Sequence, residues 1–173
     1  MLAIASALLF AQASTAQAAP PPPPPCTGVA YNAVDFGVGE WDGDQAGKDA
    51  LVAHSKIEKL YGGCAIRENW MPLKGTGGGS LSDYEPSTGR WHQTWLSSTP
   101  GRVEFDGGPA GGTMLLTGRW PHSGPKGEDG LARMTHSRVE GNAVRQFGEF
   151  SADHGLAWQT SFDLIYRPRK ATP

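Results

Sequence analysis

The chain has 173 residues, a length that suits one domain, and its formal net charge is −2 at neutral pH. No basic cluster exceeds Arg167-Pro168-Arg169-Lys170 near the C-terminus. We therefore expect no nucleic-acid partner, because nucleic-acid binding requires a basic face.

The N-terminus has the pattern of an export signal. Residues 2–13 form an apolar run, and Ala16-Gln17-Ala18 fits the small-residue pattern before a signal-peptidase cut. These features predict a signal peptide over residues 1–19 and an exported protein, either periplasmic or secreted. A disordered alanine-rich tail is the alternative. The run is too short to cross a membrane, so we expect no stable membrane insertion.

Residues 20–33 are predicted to be a proline-rich spacer and a lead-in to the domain. Residues 20–25 are all proline, which favours a stiff polyproline II spacer. Cys26 follows directly, and Cys64 is the second of two cysteines. In an exported chain this pair predicts one disulfide, with two free thiols as the alternative.

The rest of the chain alternates between glycine-containing turns and short runs rich in Trp, Val, Ile, Leu, Thr and Phe. Short strands at regular spacing are typical of an all-β sandwich or barrel. Ten runs are predicted as strands: 34–42, 51–60, 64–71, 79–84, 90–96, 102–105, 113–118, 132–139, 143–150 and 157–166. The one helical candidate, 45–53, is expected to lead into a strand. The barrel domain is predicted over 34–168, with 169–173 as a C-terminal tail.

The run 90–96 carries the most informative pattern. Successive side chains of a strand point to opposite faces, so Trp91, Gln93 and Trp95 share one face. On the run 64–71, Glu68 and Trp70 also share a face. Indoles beside polar groups suggest the wall of a ligand cavity, because Trp is rarely exposed and Gln is rarely buried without a partner.

Alternation shows which residues share a face, but it does not show which face is inward. The same residues could be plain core, or pairs on the outer surface. The ligand-binding interpretation predicts the following cavity wall, in which the last two residues are weaker candidates: Glu68, Trp70, Trp91, Gln93, Trp95, Arg133, Arg145 and Glu149.

Three functions fit these patterns. The first is an exported barrel that binds a small, partly apolar molecule in its lumen. The second is an enzyme of the isomerase, cyclase or hydratase type, in which Glu68 acts as a general acid or base. The third is a structural or interaction module with a filled barrel. The residues leave open whether the protein is an enzyme.

Other chemistries are less well supported. The five histidines lack the HxH or HxxxH spacing of a zinc site, so we expect no metal. A haem ligand at His92 or His136 is conceivable, but a lone strand histidine is more often structural, and we expect no cofactor.

Four segments carry a resemblance to a known family. They are DFGVGEWD (35–42), KIEKLYGGCAIRENW (56–70), GSLSDYEPSTGRWHQTW (79–95), and Phe162-Asp163 with Tyr166-Arg167. They resemble an uncharacterised bacterial lipocalin-like family of exported proteins. In that family a Phe-x-x-Gly-x-Trp opening precedes a Gly-Cys-x-x-x-Glu-x-Trp strand. The resemblance implies a single antiparallel up-and-down barrel of about 8–10 strands, of the lipocalin or calycin type.

The resemblance also implies structural roles. Gly39-Glu40-Trp41 is similar to the lipocalin Gly-x-Trp, whose Trp packs at the closed end of the barrel against an Arg of the last strand. Arg167 matches that Arg, and Arg169 is a nearby alternative. The chain departs from the family pattern at Gly37, where an aromatic residue is common, and in the short run 102–105. The family has no agreed activity that could be transferred.

Overall fold

Ten β-strands follow one another along the chain in the computed structural model, which describes residues 26–48 and 50–170. The predicted signal peptide and the six prolines at residues 20–25 lie outside the described residues. The strands are β1 Gly39–Gln45, β2 Leu51–Leu60, β3 Ala65–Pro72, β4 Gly78–Glu85, β5 Arg90–Ser97, β6 Arg102–Ala110, β7 Thr113–Trp120, β8 Gly130–Val139, β9 Ala143–Ser151 and β10 Gln159–Pro168.

The strands form one closed up-and-down barrel. Each strand pairs antiparallel with its neighbours in sequence, and β1 closes the barrel by pairing with β10 from Trp41↔Pro168 to Gln45↔Leu164. This confirms the predicted fold class, an all-β antiparallel barrel with ten strands and a calycin-like shape. Closure leaves none of the ten described strands with an unpaired edge.

Alternation along the strands divides each into an inward and an outward face. On β6, Val103 and Phe105 are buried between exposed or half-buried neighbours, and Phe105 has no exposed surface. On β7, Met114 and Leu116 are buried in the same way. These side chains pack with Trp91, Ala132 and Met134 into the main hydrophobic cluster inside the barrel.

Two predicted strand boundaries were each wrong by five residues, and the others lie within three residues of the observed bounds. Residues 34–38 do not extend β1: Asp35–Gly37 form a 3-10 turn, and β1 begins at Gly39. The carbonyl of Gly37 accepts a 2.8 Å hydrogen bond from Trp41 Nε1, which holds this turn over the barrel. Strand β6 continues to Ala110, five residues beyond the predicted end at 105.

The glycines at 107 and 108 explain the second error. They have the composition of a turn, but they pair with Leu116 and Leu115 in the ladder. A Cβ on residue 107 would lie 1.9 Å from the Leu115 carbonyl oxygen. Glycine is therefore needed here to let two strands approach closely, which is a recognised role of glycine inside strands.

Residues 26–38, which we call the N-terminal cap, lie across one end of the barrel. The predicted disulfide is confirmed: Cys26 and Cys64 are bonded, with their Cα atoms 4.9 Å apart. Trp91 Nε1 donates a 3.2 Å hydrogen bond to the Ala30 carbonyl. Lys59 Nζ lies 2.6 Å from a carboxylate oxygen of Asp35. Covalent, polar and ionic contacts therefore hold the cap on this end.

Candidate functional site

Two adjoining cavities lie in the part of the barrel interior that the described residues enclose. The inner cavity, of about 80 Å³, lies beneath the cap and is lined by Val34 and Phe36. The second cavity, of about 580 Å³, opens at the opposite end, which we call the mouth. Four residues line both cavities and form what we call the polar belt: Glu68, Gln93, Gln146 and Tyr166.

Aromatic side chains form most of the wall between the polar belt and the mouth. Trp70 and Trp95 meet edge-to-face with ring centroids 6.5 Å apart. Phe105 and Trp120 meet in the same manner at 6.0 Å. Phe162 completes this wall. Such arrangements hold rings in fixed orientations and leave an apolar surface toward the cavity.

Glu68 is the acidic member of the polar belt. It lies on β3, and its Oε1 accepts a 2.7 Å hydrogen bond from Ser55 Oγ on the neighbouring strand β2. Burial raises the pKa of this carboxyl above its usual value, and the Ser55 hydrogen bond offsets only part of the effect. Burial in an apolar setting disfavours the charged form, so Glu68 holds its proton to higher pH than an exposed glutamate.

Gln93, on β5, faces the place where the inner and mouth cavities meet. Its Nε2 donates to Ser82 Oγ at 3.1 Å and to Ser80 Oγ at 3.3 Å. Ser82 lies directly opposite Gln93 in the β4–β5 ladder. Both serines are buried, and their small size leaves room for the amide inside the barrel.

Tyr166 and Gln146 complete the belt from β10 and β9. The Tyr166 hydroxyl donates a 2.8 Å hydrogen bond to Gln146 Oε1. Burial, followed by the negative charge of Glu68, raises the pKa of Tyr166 well above 10. The Gln146 amide nitrogen contacts Met134 Sδ at 3.5 Å. Tyr166 therefore stays a neutral phenol at physiological pH.

Two buried nitrogen atoms in the lumen have no hydrogen-bond partner among the described residues, Trp70 Nε1 and His136 Nδ1. Burial lowers the pKa of His136 to about 4. The imidazole is therefore neutral at physiological pH. An unpaired buried polar atom costs free energy.

The structure places five of the eight residues predicted as cavity wall on the inner or the mouth cavity. Glu68, Trp70, Gln93 and Trp95 line the mouth cavity, and Trp91 lines the inner cavity. Trp91 is 3 % exposed and belongs to the main hydrophobic cluster, so its principal role is packing.

Arg133, Arg145 and Glu149 lie on the outward faces of β8 and β9, and none of them lines the inner or the mouth cavity. Arg133 and Glu149 line a separate cavity of about 270 Å³. Arg133 Nε donates to Glu149 Oε2 at 2.9 Å across the β8–β9 ladder. Arg145 makes two hydrogen bonds to Asp163, of 2.7 and 2.6 Å. These residues form ion pairs on the outward side of the barrel and do not belong to the lumen site.

The residues of the Gly-x-Trp motif lie at the capped end. Trp41 is 5 % exposed and packs with Val144 and Tyr166. A Cβ at Gly39 would lie 3.4 Å from the Trp41 ring, so the glycine lets the indole fold back over the chain. Arg167 forms an outward ion pair with Asp44.

Sequence reasoning missed Gln146, Tyr166 and His136 as lumen residues. The alternation of β9 groups Val144 with Gln146, opposite Arg145 and Glu149. On β9 the face without charged residues is the inward one, which is where Gln146 lies; the same rule fails on β3, whose inward face carries Glu68.

Comparison with protein-family models finds no match to this chain, and a search of curated proteins finds no significant relative. Within residues 26–48 and 50–170 no helix is long and apolar enough to span a membrane. The same residues contain no group of three or more His, Cys, Asp or Glu side chains placed to hold a metal ion.

Proposed function

We propose that this protein binds a small, partly apolar molecule in the lumen of its barrel. The observation that carries the proposal is the mouth cavity of about 580 Å³, which is walled by aromatic rings and ends on the polar belt. Small-molecule sites are mainly apolar concavities in which a few polar groups fix the orientation of the ligand. A filled barrel would have no such space.

The proposal includes export and membership of the lipocalin-like family. The Cys26–Cys64 disulfide supports an oxidising compartment outside the cytoplasm, because structural disulfides persist there. The ten-strand closed barrel supports the family, as do the Gly39-x-Trp41 motif at its capped end and Glu68 on β3. A periplasmic or a secreted location is compatible with these features.

Binding can be tested with the uncharged fluorophore N-phenyl-1-naphthylamine. Leu164 lines the mouth cavity, and Ile165 follows it on β10 without lining that cavity. We expect the fluorophore to bind the native protein and to bind Leu164→Trp at least about tenfold more weakly, because the larger ring occupies the lumen. Ile165→Trp is the matched control and should retain the native affinity. Equal affinity in the two variants, or no binding at all, would contradict lumen binding.

A second function is favoured by one observation, the raised pKa of Glu68 beside an apolar cavity. A carboxyl with this property can act as a general acid or base, as in an isomerase, cyclase or hydratase. Native mass spectrometry of protein from its own host, with Glu68→Gln beside the native chain, tests this function. If the protein is an enzyme, the Glu68→Gln variant should retain its substrate. The native protein should then carry a molecule of different mass, or no molecule at all. Identical masses would exclude hydration, and an identical structure of the bound molecule would exclude the remaining reactions.

A further inference from the structure

We propose that the lumen ligand is an amine, whose protonated nitrogen binds at Glu68 and whose apolar body lies against the aromatic wall of the mouth cavity. This inference rests on the proposed lumen binding and names its ligand class. It follows from the charges that line the cavities, from the oxygen atoms left without donors, and from the type of side chain around them.

The charge inventory favours a cation. Among the described residues that line the two cavities, Glu68 is the one carboxyl group, and no arginine is present. Lys74 is the lysine of this lining, and it lies on the exposed rim of the mouth. A carboxylate ligand that reached the polar belt would have no cation to pair with, and burying an unpaired charge is costly.

The hydrogen-bonding capacity of the belt also favours a donor. Glu68 Oε1 accepts from Ser55, and Glu68 Oε2 accepts from no described residue. Gln93 uses its nitrogen toward the two serines, and its Oε1 accepts from no described residue. An ammonium group carries three N–H donors and no acceptor, so it can serve both oxygens at once.

Aromatic rings near the carboxyl supply the remaining recognition. The faces of Trp and Tyr attract cations, and the interaction is strongest where water is excluded. Trp70 lies two residues beyond Glu68 on β3, on the same face, and its ring contacts that of Trp95. An ammonium at Glu68 would therefore have indole rings on its mouth side, where the apolar body of the ligand continues.

Among the described residues, no other group that faces Glu68 supplies a competing charge: His92 also lines the inner cavity, but its two ring nitrogens contact the carboxylates of Glu104 and Asp106 on β6. The residues that face it are Ser55 on β2, Ser80 on β4, Tyr166 on β10 and, across the inner cavity, His136 on β8. Burial raises the pKa of Tyr166 and lowers that of His136 to about 4, so both are neutral at physiological pH. Glu68 is the group that changes charge, so a cation that binds beside it favours its ionised form. Amine binding should release a proton wherever the empty site holds Glu68 protonated.

Three ligands of nearly equal shape test the inference: 1-naphthylmethylamine, 1-naphthylmethanol and 1-naphthoate. Affinity and proton release are measured by calorimetry in buffers of different ionisation enthalpy. The native protein should bind the amine at least about tenfold more tightly than the alcohol, with proton release, and should bind the acid most weakly. Glu68→Gln should abolish both the preference and the proton release while retaining the alcohol. Glu149→Gln, which removes an outer-face carboxyl, is the control and should change neither.

The possible results separate this inference from the proposed function. Equal binding of amine and alcohol, unaffected by Glu68→Gln, would overturn the amine inference and leave lumen binding intact. Tightest binding of the acid would also overturn it and would assign recognition to Lys74 at the rim. Failure of all three to bind would contradict lumen binding for naphthyl compounds together with the inference. If the Glu68→Gln variant fails to bind the alcohol, a Glu68→Asp variant decides, because a retained carboxyl should retain the amine preference.

Discussion

Removal of the disulfide should weaken the protein without destroying the barrel. The bond joins residues that are 38 positions apart in sequence. A cross-link of this length lowers the chain entropy of the unfolded state, which corresponds to about 4 kcal/mol of stability at 25 °C. Domains commonly have a total stability of about 5–15 kcal/mol, so the loss is a large share of what is available. We expect Cys26→Ser/Cys64→Ser to unfold at a clearly lower guanidinium concentration.

The mechanism makes a second, independent prediction about the native state. Without the disulfide, the cap should keep the hydrogen bond from Trp91 to Ala30 and the ion pair between Lys59 and Asp35. The barrel should therefore keep its circular dichroism spectrum, while hydrogen exchange of residues 26–38 becomes faster than that of the strands. Cap amides are tied down by few other contacts, so they report local opening.

Equilibrium unfolding of the double variant against the oxidised native chain measures the loss, and chemically reduced native chain is the control. The reduced chain and the variant should agree. A difference in unfolding free energy below about 1 kcal/mol would refute the entropic argument. A large change in the denaturant slope would show instead that the cap has detached, because the slope follows the surface exposed on unfolding.

Three further predictions concern single residues. Gly107→Ala should destabilise the barrel by about 2 kcal/mol or more in thermal unfolding, because its Cβ would overlap the Leu115 carbonyl oxygen at 1.9 Å. Gly108→Ala is the control and should be near neutral, since nothing lies within 4 Å of its Cβ. Equal destabilisation by the two variants would contradict the packing argument. The pKa of Glu68 in the folded state lies above 4.5, so its contribution to the unfolding free energy is lost as pH rises from 4.5 through the folded-state pKa. The difference in unfolding free energy between Glu68→Gln and the native chain should therefore shift in favour of the variant as pH rises. A difference that does not change with pH would be evidence against a buried acid. Burial lowers the pKa of His136 from 6.5 to about 4 in the folded state, so the unfolding free energy should fall by up to about 3 kcal/mol as pH drops from 6.5 to 4. Urea titrations at each pH should show that His136→Leu lacks this part of the loss.

The barrel itself could be predicted from alternation and turn composition, because both are local properties of the chain. The errors occurred where tertiary contacts override a local signal. Gly107 and Gly108 resemble a turn, and only the close approach of β7 shows that they belong to a strand. Residues 34–38 have a strand-like composition, but Val34 and Phe36 pack over the barrel end, and Asp35–Gly37 form a turn of the cap.

The site could be predicted in part. Trp95 and Glu68 carried a signal of their own, since aromatic and polar residues shared a face. Arg133 and Glu149 were grouped with them because alternation alone does not identify the inward face. Gln146 shares its face of β9 with Val144 and Phe150, but its hydrogen bond to Tyr166 becomes visible only once β9 and β10 are placed beside each other.

The pairing of β1 with β10 has a consequence for how the chain folds. Every other ladder joins strands that are adjacent in sequence, so each can form as soon as its two strands are available. The last ladder must wait for Gln159–Pro168, more than a hundred positions after β1, and such distant pairing is slow. Until then the outer edges of β1 and of the most recently formed strand stay unpaired and can pair with other chains. Pairing of β1 with β10 is thus the final step of folding, and the risk of aggregation is greatest before it occurs.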